Sequence, residues 1–299
     1  MASTVSRLHK IGLISPPSWL PDNVHYEVMM GSVAYGVSTD YSDVDVYGFC
    51  MPKKELVFPH LAGEIPGFGR QTKRFEQFQQ HHVNDKGSQK EYDLSIYSIV
   101  KYFQLVMENN PNMVDSLFVP DFCVLHITKI GTMVRENRKL FLHKGSWHKY
   151  KGYSFSQMHK ARLKTPKEGS KRAKLVEEFG YDVKFLYHVV RLMDEAEQIL
   201  ANQDLDLQRN REQLKAIRRG EMSLEEVQQW FSDKEQSLEK LYADSKLPHS
   251  PDEAAIKQLL LNCIEEHYGS LDKCVVNVDG ATQALREVQD VLNKYQSLI

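Results

Sequence analysis

The stretch Gly31-Ser32-Val33-Ala34-Tyr35-Gly36-Val37-Ser38-Thr39-Asp40-Tyr41-Ser42-Asp43-Val44-Asp45-Val46-Tyr47-Gly48 constrains this chain more than any other. An apolar, strand-like run over residues 24–30 leads into it. A Gly-Ser turn directly after a strand suits the start of a short helix, whose first N–H groups can point at a phosphate. Asp43 and Asp45 stand two residues apart, and the period-2 geometry of a strand puts both carboxylates on one face. Two adjacent carboxylates repel each other, and a divalent cation makes such a pair favourable. A phosphate cradle facing a magnesium-type site points to phosphoryl or nucleotidyl transfer.

The surrounding pattern sets the fold class as α+β. Residues 24–30 and 44–51 read as strands, with Pro52 ending the second, and residues 90–96 read as a third. Residues 59–90, rich in Gly, Gln and His, read as a loop or short hairpin. After the third strand, Ile99, Tyr102, Phe103, Val106 and Met107 fall on one helical face, and a short helix is expected over 113–118. Residues 122–127 form a further strand candidate. From about residue 128 the periodicity is helical, with segments at 128–142, 154–163, 167–203 (pausing near Gly180), 209–218, 223–242, 252–268 and 281–297. Ser223 with Glu226 makes a capping box, and Pro251 follows Ser250 at a helix start. The expected organisation is a lead-in at 1–23, a mixed-sheet α/β domain at 24–145 and a helical domain at 146–299, joined near the basic, aromatic loop 143–152. The terminal helix is expected to pack on the bundle, with a homodimer contact as the alternative.

Composition narrows the functional class. Among 299 residues 41% are hydrophobic and 26% charged, with a net charge of −2, so any polyanion site must be a local patch. Four scattered cysteines without a C-x-x-C pair suit reduced thiols in a cytoplasmic protein better than a disulfide framework or a zinc site. No apolar run approaches the length of a membrane span, so no membrane partner is expected. His81-His82 is too isolated to read as a metal site, and solvent exposure is the expected state.

The Gly-Ser turn followed by Asp-Val-Asp resembles the signature of the DNA polymerase β-like nucleotidyltransferase superfamily. With Lys101-Tyr102-Phe103, Asn110-Pro111-Asn112, Gly152-Tyr153, Gln157, Lys184, His188, Arg191, Gly220-Glu221 and Leu247-Pro248-x-x-Pro251-Asp252, the resemblance becomes closer to the RNA-repair, RlaP-type branch, over roughly residues 25–262. It implies that Gly31 and Ser32 hold the triphosphate of an NTP, and that Asp43 and Asp45 bind Mg2+ or Mn2+. It also implies a third carboxylate from a neighbouring strand. Asp93 is the natural candidate and Glu91 the alternative, while a helix N-cap is the competing role for Asp93.

Lys184, His188 and Arg191 stand at i, i+4 and i+7 and share one helical face, which would give a basic ridge toward the triphosphate or an RNA backbone, or else a solvated or lobe-bridging face with His188 a satisfied, semi-buried histidine. Lys149, Lys151, Tyr153 and Lys160 belong to a run that interleaves basic and aromatic residues, a pattern suited to single-stranded nucleic acid or to a packed loop with snorkelling lysines. The resemblance implies transfer of NMP from an NTP to a hydroxyl, with an RNA end, such as tRNA, as acceptor. Protein or small-molecule nucleotidylation and a non-catalytic nucleotide or RNA sensor stand as alternatives.

Overall fold

The computed structural model describes residues 2–38, 43–58, 73–163, 169, 171–269, 285 and 288. Its core is a mixed five-stranded sheet built from β1 (Val24–Met29), β2 (Val44–Cys50), β3 (Gln77–Asp85), β4 (Lys90–Ser98) and β5 (Val124–Ile127), in the order β3-β4-β2-β1-β5. The β2–β4 pair is parallel and the other pairs are antiparallel. Together with the helices this is an α+β fold, as the sequence pattern predicts.

Strand alternation assigns the two faces. Val44, Val46, Leu94 and Ile96 are buried on one face. Beneath it lies α1 (Thr4–Lys10), in a segment expected to be a simple lead-in. The buried Glu27 carboxylate accepts hydrogen bonds from the N–H groups of Thr4 and Val5, so it caps the positive end of that helix. The opposite face carries Asp45, Tyr47 and Phe49. Here Phe49 packs on Tyr102 of α3 (Ile99–Met107), with ring centroids 4.9 Å apart. Tyr26 and Tyr102 both bond to Ser116 of α4 (Pro111–Phe118).

Residues 77–85, expected to be irregular, form β3. Alternating Gln and His carry little hydrophobic signal, and β4 supplies the pairing that fixes them as an edge strand. The predicted helix 128–142 is α5 (Lys129–Glu136) followed by a 3-10 turn at Arg138–Phe141. The loop predicted at 143–152 is instead the first half of α6 (Gly145–Leu163), because Trp147 and Tyr150 are fully buried. The long helix predicted over 167–203 is two helices, α7 (Lys171–Phe179) and α8 (Val183–Asn202). Gly180 at φ +79 ends the first, and Asp182 caps the second through the Lys184 N–H.

Helices α9 (Arg211–Arg218), α10 (Leu224–Asp244) and α11 (Glu253–Tyr268) follow, and the Ser223–Glu226 capping box forms in both directions. The chain divides into two compact units, residues 1–52 with 76–263 and residues 53–75 with 264–299. The expected boundary at 145/146 falls inside the first. The second contains α2 (Lys54–Val57). Of the predicted terminal helix only Leu285 and Val288 are described, both helical and exposed; the rest of that prediction lies outside the described residues. No helix among the described residues is long and apolar enough to cross a membrane.

Candidate active site

The Gly-Ser segment is a run of tight turns rather than a regular helix. Tyr35 N–H bonds to Gly31 O, Gly36 N–H to Val33 O and Val37 N–H to Ser32 O, at 3.4, 3.1 and 2.9 Å. Ser32 and Val33 are half-buried, and their N–H groups donate to no other described residue. Two adjacent N–H groups without a partner among the described residues, on a bent backbone, are of the kind that can receive an anion. The segment is braced from behind: Gln208 donates to Ala34 O at 3.2 Å, Arg218 donates to Val37 O, and Tyr35 OH donates to Asp115 at 2.8 Å.

The carboxylates stand directly beside this turn. Met30 N–H bonds to Asp45 O at 2.8 Å, which fixes the end of β1 against β2. In the parallel β2–β4 register Asp45 pairs with Asp93, so the two side chains are neighbours on one face. Asp43 is exposed one residue before β2, on the same side by alternation. Burial raises the Asp45 pKa, and the charges of Asp93 and Asp43 raise it further, while Lys184 and His81 oppose the shift. The charges of Asp93 and Asp43 both act on Asp45, and hard carboxylate oxygens suit a divalent cation, so the donor chemistry fits the metal that the fold class implies.

Gly31, at φ +66, is the close approach that makes this juxtaposition feasible. A Cβ there would lie 2.1 Å from Asp45 Oδ2. Gly31→Ala is expected to remove divalent-cation binding and lower NTP turnover at least about tenfold, the scale seen when groups supporting a metal are displaced. Unchanged Mn2+ affinity in that variant would show that the turn and the carboxylates act independently.

The helix-cap role for Asp93 falls away, because β4 continues to Ser98 and the α3 cap is Ser98, which accepts from the Lys101 N–H. Glu91 shares the face of Asp93 but lies two residues farther along β4 and is hydrogen-bonded to His82 Nδ1. His82, Glu91 and Asp93 offer ligand atoms within 4.8 Å of one another. Both histidines are exposed as expected, yet they are not isolated: they belong to a bulge in β3 that faces β4.

Helix α8 separates the three basic residues predicted to act together. Lys184 is exposed and close enough to lower the proton affinity of Asp45. Arg191 is only 4% exposed and is engaged by Tyr35 OH at 2.6 Å, by Glu195 at 3.0 Å and by Asp115. Its guanidinium also stacks over the Tyr35 ring, 4.3 Å from the centroid. Arg191 therefore supports the Gly31–Val37 turn through Tyr35, and no open ridge includes it.

His188 is half-buried. Burial holds its pKa well below 6.5, and the positive charges of Arg191, Lys184, Arg172 and Arg218 add to the effect. A histidine depressed in the fold stays neutral there while the unfolded chain takes up a proton, so its contribution to stability is lost as pH falls below about 6.5. His188→Gln is expected to flatten the acid limb of a stability–pH curve between about pH 6.5 and 5 relative to wild type. Superimposable slopes in denaturant titrations would refute this.

Helix α6 sorts the residues expected to meet nucleic acid. Lys149, Tyr153 and Lys160, at helical spacings, are all exposed on one face. Lys151 points to α10, with 2.7 Å ion pairs to both Glu235 and Glu239 and its ammonium over the Trp147 ring. Sequence reasoning also missed Asp115, Glu195 and Tyr35. The only local signal was a charge set among apolar helical neighbours, in Met113-Val114-Asp115 and again in Asp194-Glu195-Ala196.

A comparison with curated proteins gives no match. The family model described as the RNA repair pathway DNA polymerase beta family, RlaP, matches residues 18–262 and supports a nucleotidyltransferase-type role in RNA repair. That match covers the turn, all three aspartates and helices α3 to α10, and the chain belongs to the RNA repair pathway DNA polymerase beta family.

Proposed function

We propose that the protein transfers a nucleoside monophosphate from an NTP to a hydroxyl of an RNA end. The observation that carries this reading is the register pairing of Asp45 with Asp93 beside the Ser32 and Val33 amides, which have no partner among the described residues. Asp43, Asp45 and Asp93 would hold Mg2+ or Mn2+, which supplies charge neutralisation at the α-phosphate and at the leaving oxygen. The Ser32 and Val33 amides, at the Gly31 turn, receive the β- and γ-phosphates, and Lys184 adds a positive charge on the open side. The acceptor oxygen bonds to the α-phosphorus, the bond to the β-phosphate oxygen breaks, and pyrophosphate leaves. In this scheme Asp93 takes the proton of the attacking hydroxyl. Neither Arg191, which is enclosed, nor His188, which is held neutral, contacts phosphate in this scheme.

The exposed Lys149–Tyr153–Lys160 face of α6 is the candidate path for RNA, because a stacking ring between two cations suits a single strand. Incubation with α-labelled NTPs, Mg2+ and short RNAs tests the reaction through label on RNA and pyrophosphate release. Lys149→Ala and Lys160→Ala are each expected to lower the salt slope of RNA binding by about one, whereas Lys151→Ala, whose charge is already paired, leaves it unchanged. Label appearing on protein without RNA would redirect the acceptor to a protein hydroxyl.

A further inference from the structure

The β3 bulge opposite Asp93 stands outside the motif Gly31–Gly48 and outside the proposed reaction scheme. Gln80 pairs with Leu94 and Val83 with Tyr92, so His81 and His82 together occupy the place opposite the single residue Asp93. His82 adopts left-handed backbone, φ +56, although it is not glycine. At this bulge its N–H stands outside the ladder pairing and donates to Asp93 Oδ1, at 2.8 Å. His81 Nδ1 approaches the same oxygen at 3.6 Å. Among the described residues no donor holds Oδ2. One oxygen of Asp93 is thus tied to β3, while on its other side the register partner is Asp45.

We infer that the His81–His82 bulge is a positioning element for the third carboxylate, with the His82 backbone N–H fixing Asp93 Oδ1 so that Oδ2 is presented toward Asp45. The inference rests on the proposed role of Asp93 as a metal-holding residue. Its physical content is preorganisation: a carboxylate restrained by an outer hydrogen bond binds a cation without first losing rotamer freedom. The imidazole of His82 is a separate matter, since it engages Glu91 and is 79% exposed. The backbone, and not the ring, does the positioning.

Two substitutions separate these contributions. His82→Gly keeps the N–H, accepts left-handed backbone freely and deletes the imidazole. His82→Val keeps the N–H but resists left-handed backbone, because a β-branched side chain is a steric outlier there. Titration of the full-length protein with MnCl2, read by electron paramagnetic resonance of free Mn2+, should give near-wild-type affinity for His82→Gly and about tenfold or more weaker affinity for His82→Val. In turnover assays the valine variant should lose kcat with little change in KM for NTP, and excess Mn2+ should restore part of it.

Equal Mn2+ affinity in the valine variant and wild type would overturn the inference. So would a glycine variant as weak as the valine one, since the imidazole would then be the active group. Should His82→Val not fold, His82→Ala lies between the two in tolerance of left-handed backbone and gives the same comparison with a smaller step. Failure of the transferase reading is distinguishable: wild type would then show no NTP turnover at all, while the Mn2+ titrations would still rank the variants.

Discussion

Asp45→Asn is expected to lower nucleotidyl transfer by about 10³-fold or more, measured as labelled NMP incorporated into RNA at saturating Mg2+. Loss of metal-borne charge stabilisation amounts to several kcal/mol, and each 1.36 kcal/mol is about tenfold in rate. The amide is isosteric with the carboxylate, so the fold is retained. Metal-free stability should move in the opposite direction. Asp45 has a raised proton affinity, caused first by burial and then by Asp93 and Asp43. A carboxyl raised in the fold contributes stability below its unfolded pKa and loses it as pH rises through the folded value. At neutral pH the ionised Asp45 therefore disfavours folding, and the asparagine variant should melt no lower than wild type in chelator. Added Mn2+ should raise the wild-type midpoint by ligand linkage and leave the variant in place. Transfer within tenfold of wild type would remove Asp45 from the site.

Arg191→Met should cost about 3–5 kcal/mol in a denaturant titration, because it strands two buried carboxylates. Asp115 and Glu195 have side chains 0% and 2% exposed, and Arg191 is the cation that both contact. The network is already only partly satisfied, with Arg191 Nε, Asp115 Oδ1 and Glu195 Oε2 buried without a partner among the described residues. Burial raises the pKa of both carboxyls, and removing the guanidinium would raise it further. By the same sign rule the deficit of the variant should shrink as pH falls and widen as it rises. Arg191→Lys should recover only part of the loss, since a point charge cannot bond Tyr35, Asp115 and Glu195 and also stack on the Tyr35 ring. A loss no larger than that of an exposed arginine, such as Arg219, would mean the network contributes nothing to holding the turn.

Much of this arrangement was legible without coordinates because it is local. Asp43 and Asp45 share a face by strand period alone, and Gly31 follows a strand as an anion-binding turn requires. Ser223 with Glu226 specifies its own cap. Where local signals were weak or ambiguous the reading departed from the structure. Gln77–Asp85 has no apolar alternation and becomes a strand only by pairing with β4. Residues 145–152 look loop-like by composition, yet burial of Trp147 and Tyr150 against the helical core makes them helix.

Helical spacing put Lys184, His188 and Arg191 on one face, but the depth of each along that face is a tertiary quantity. Packing left Lys184 in solvent, half-buried His188 and gave Arg191 to an internal ion network. The sequence by itself determined the local pattern: a glycine and a serine directly after a strand and two carboxylates at strand spacing, all within eighteen positions of one another. Only the tertiary structure decided what completes it. The parallel β2–β4 register brings Asp93 to Asp45 across nearly fifty residues of chain, and a bulge on an edge strand holds it there. Neither contact has a local signature, because pairing register is set by the sum of many interstrand contacts and not by the residues that use it.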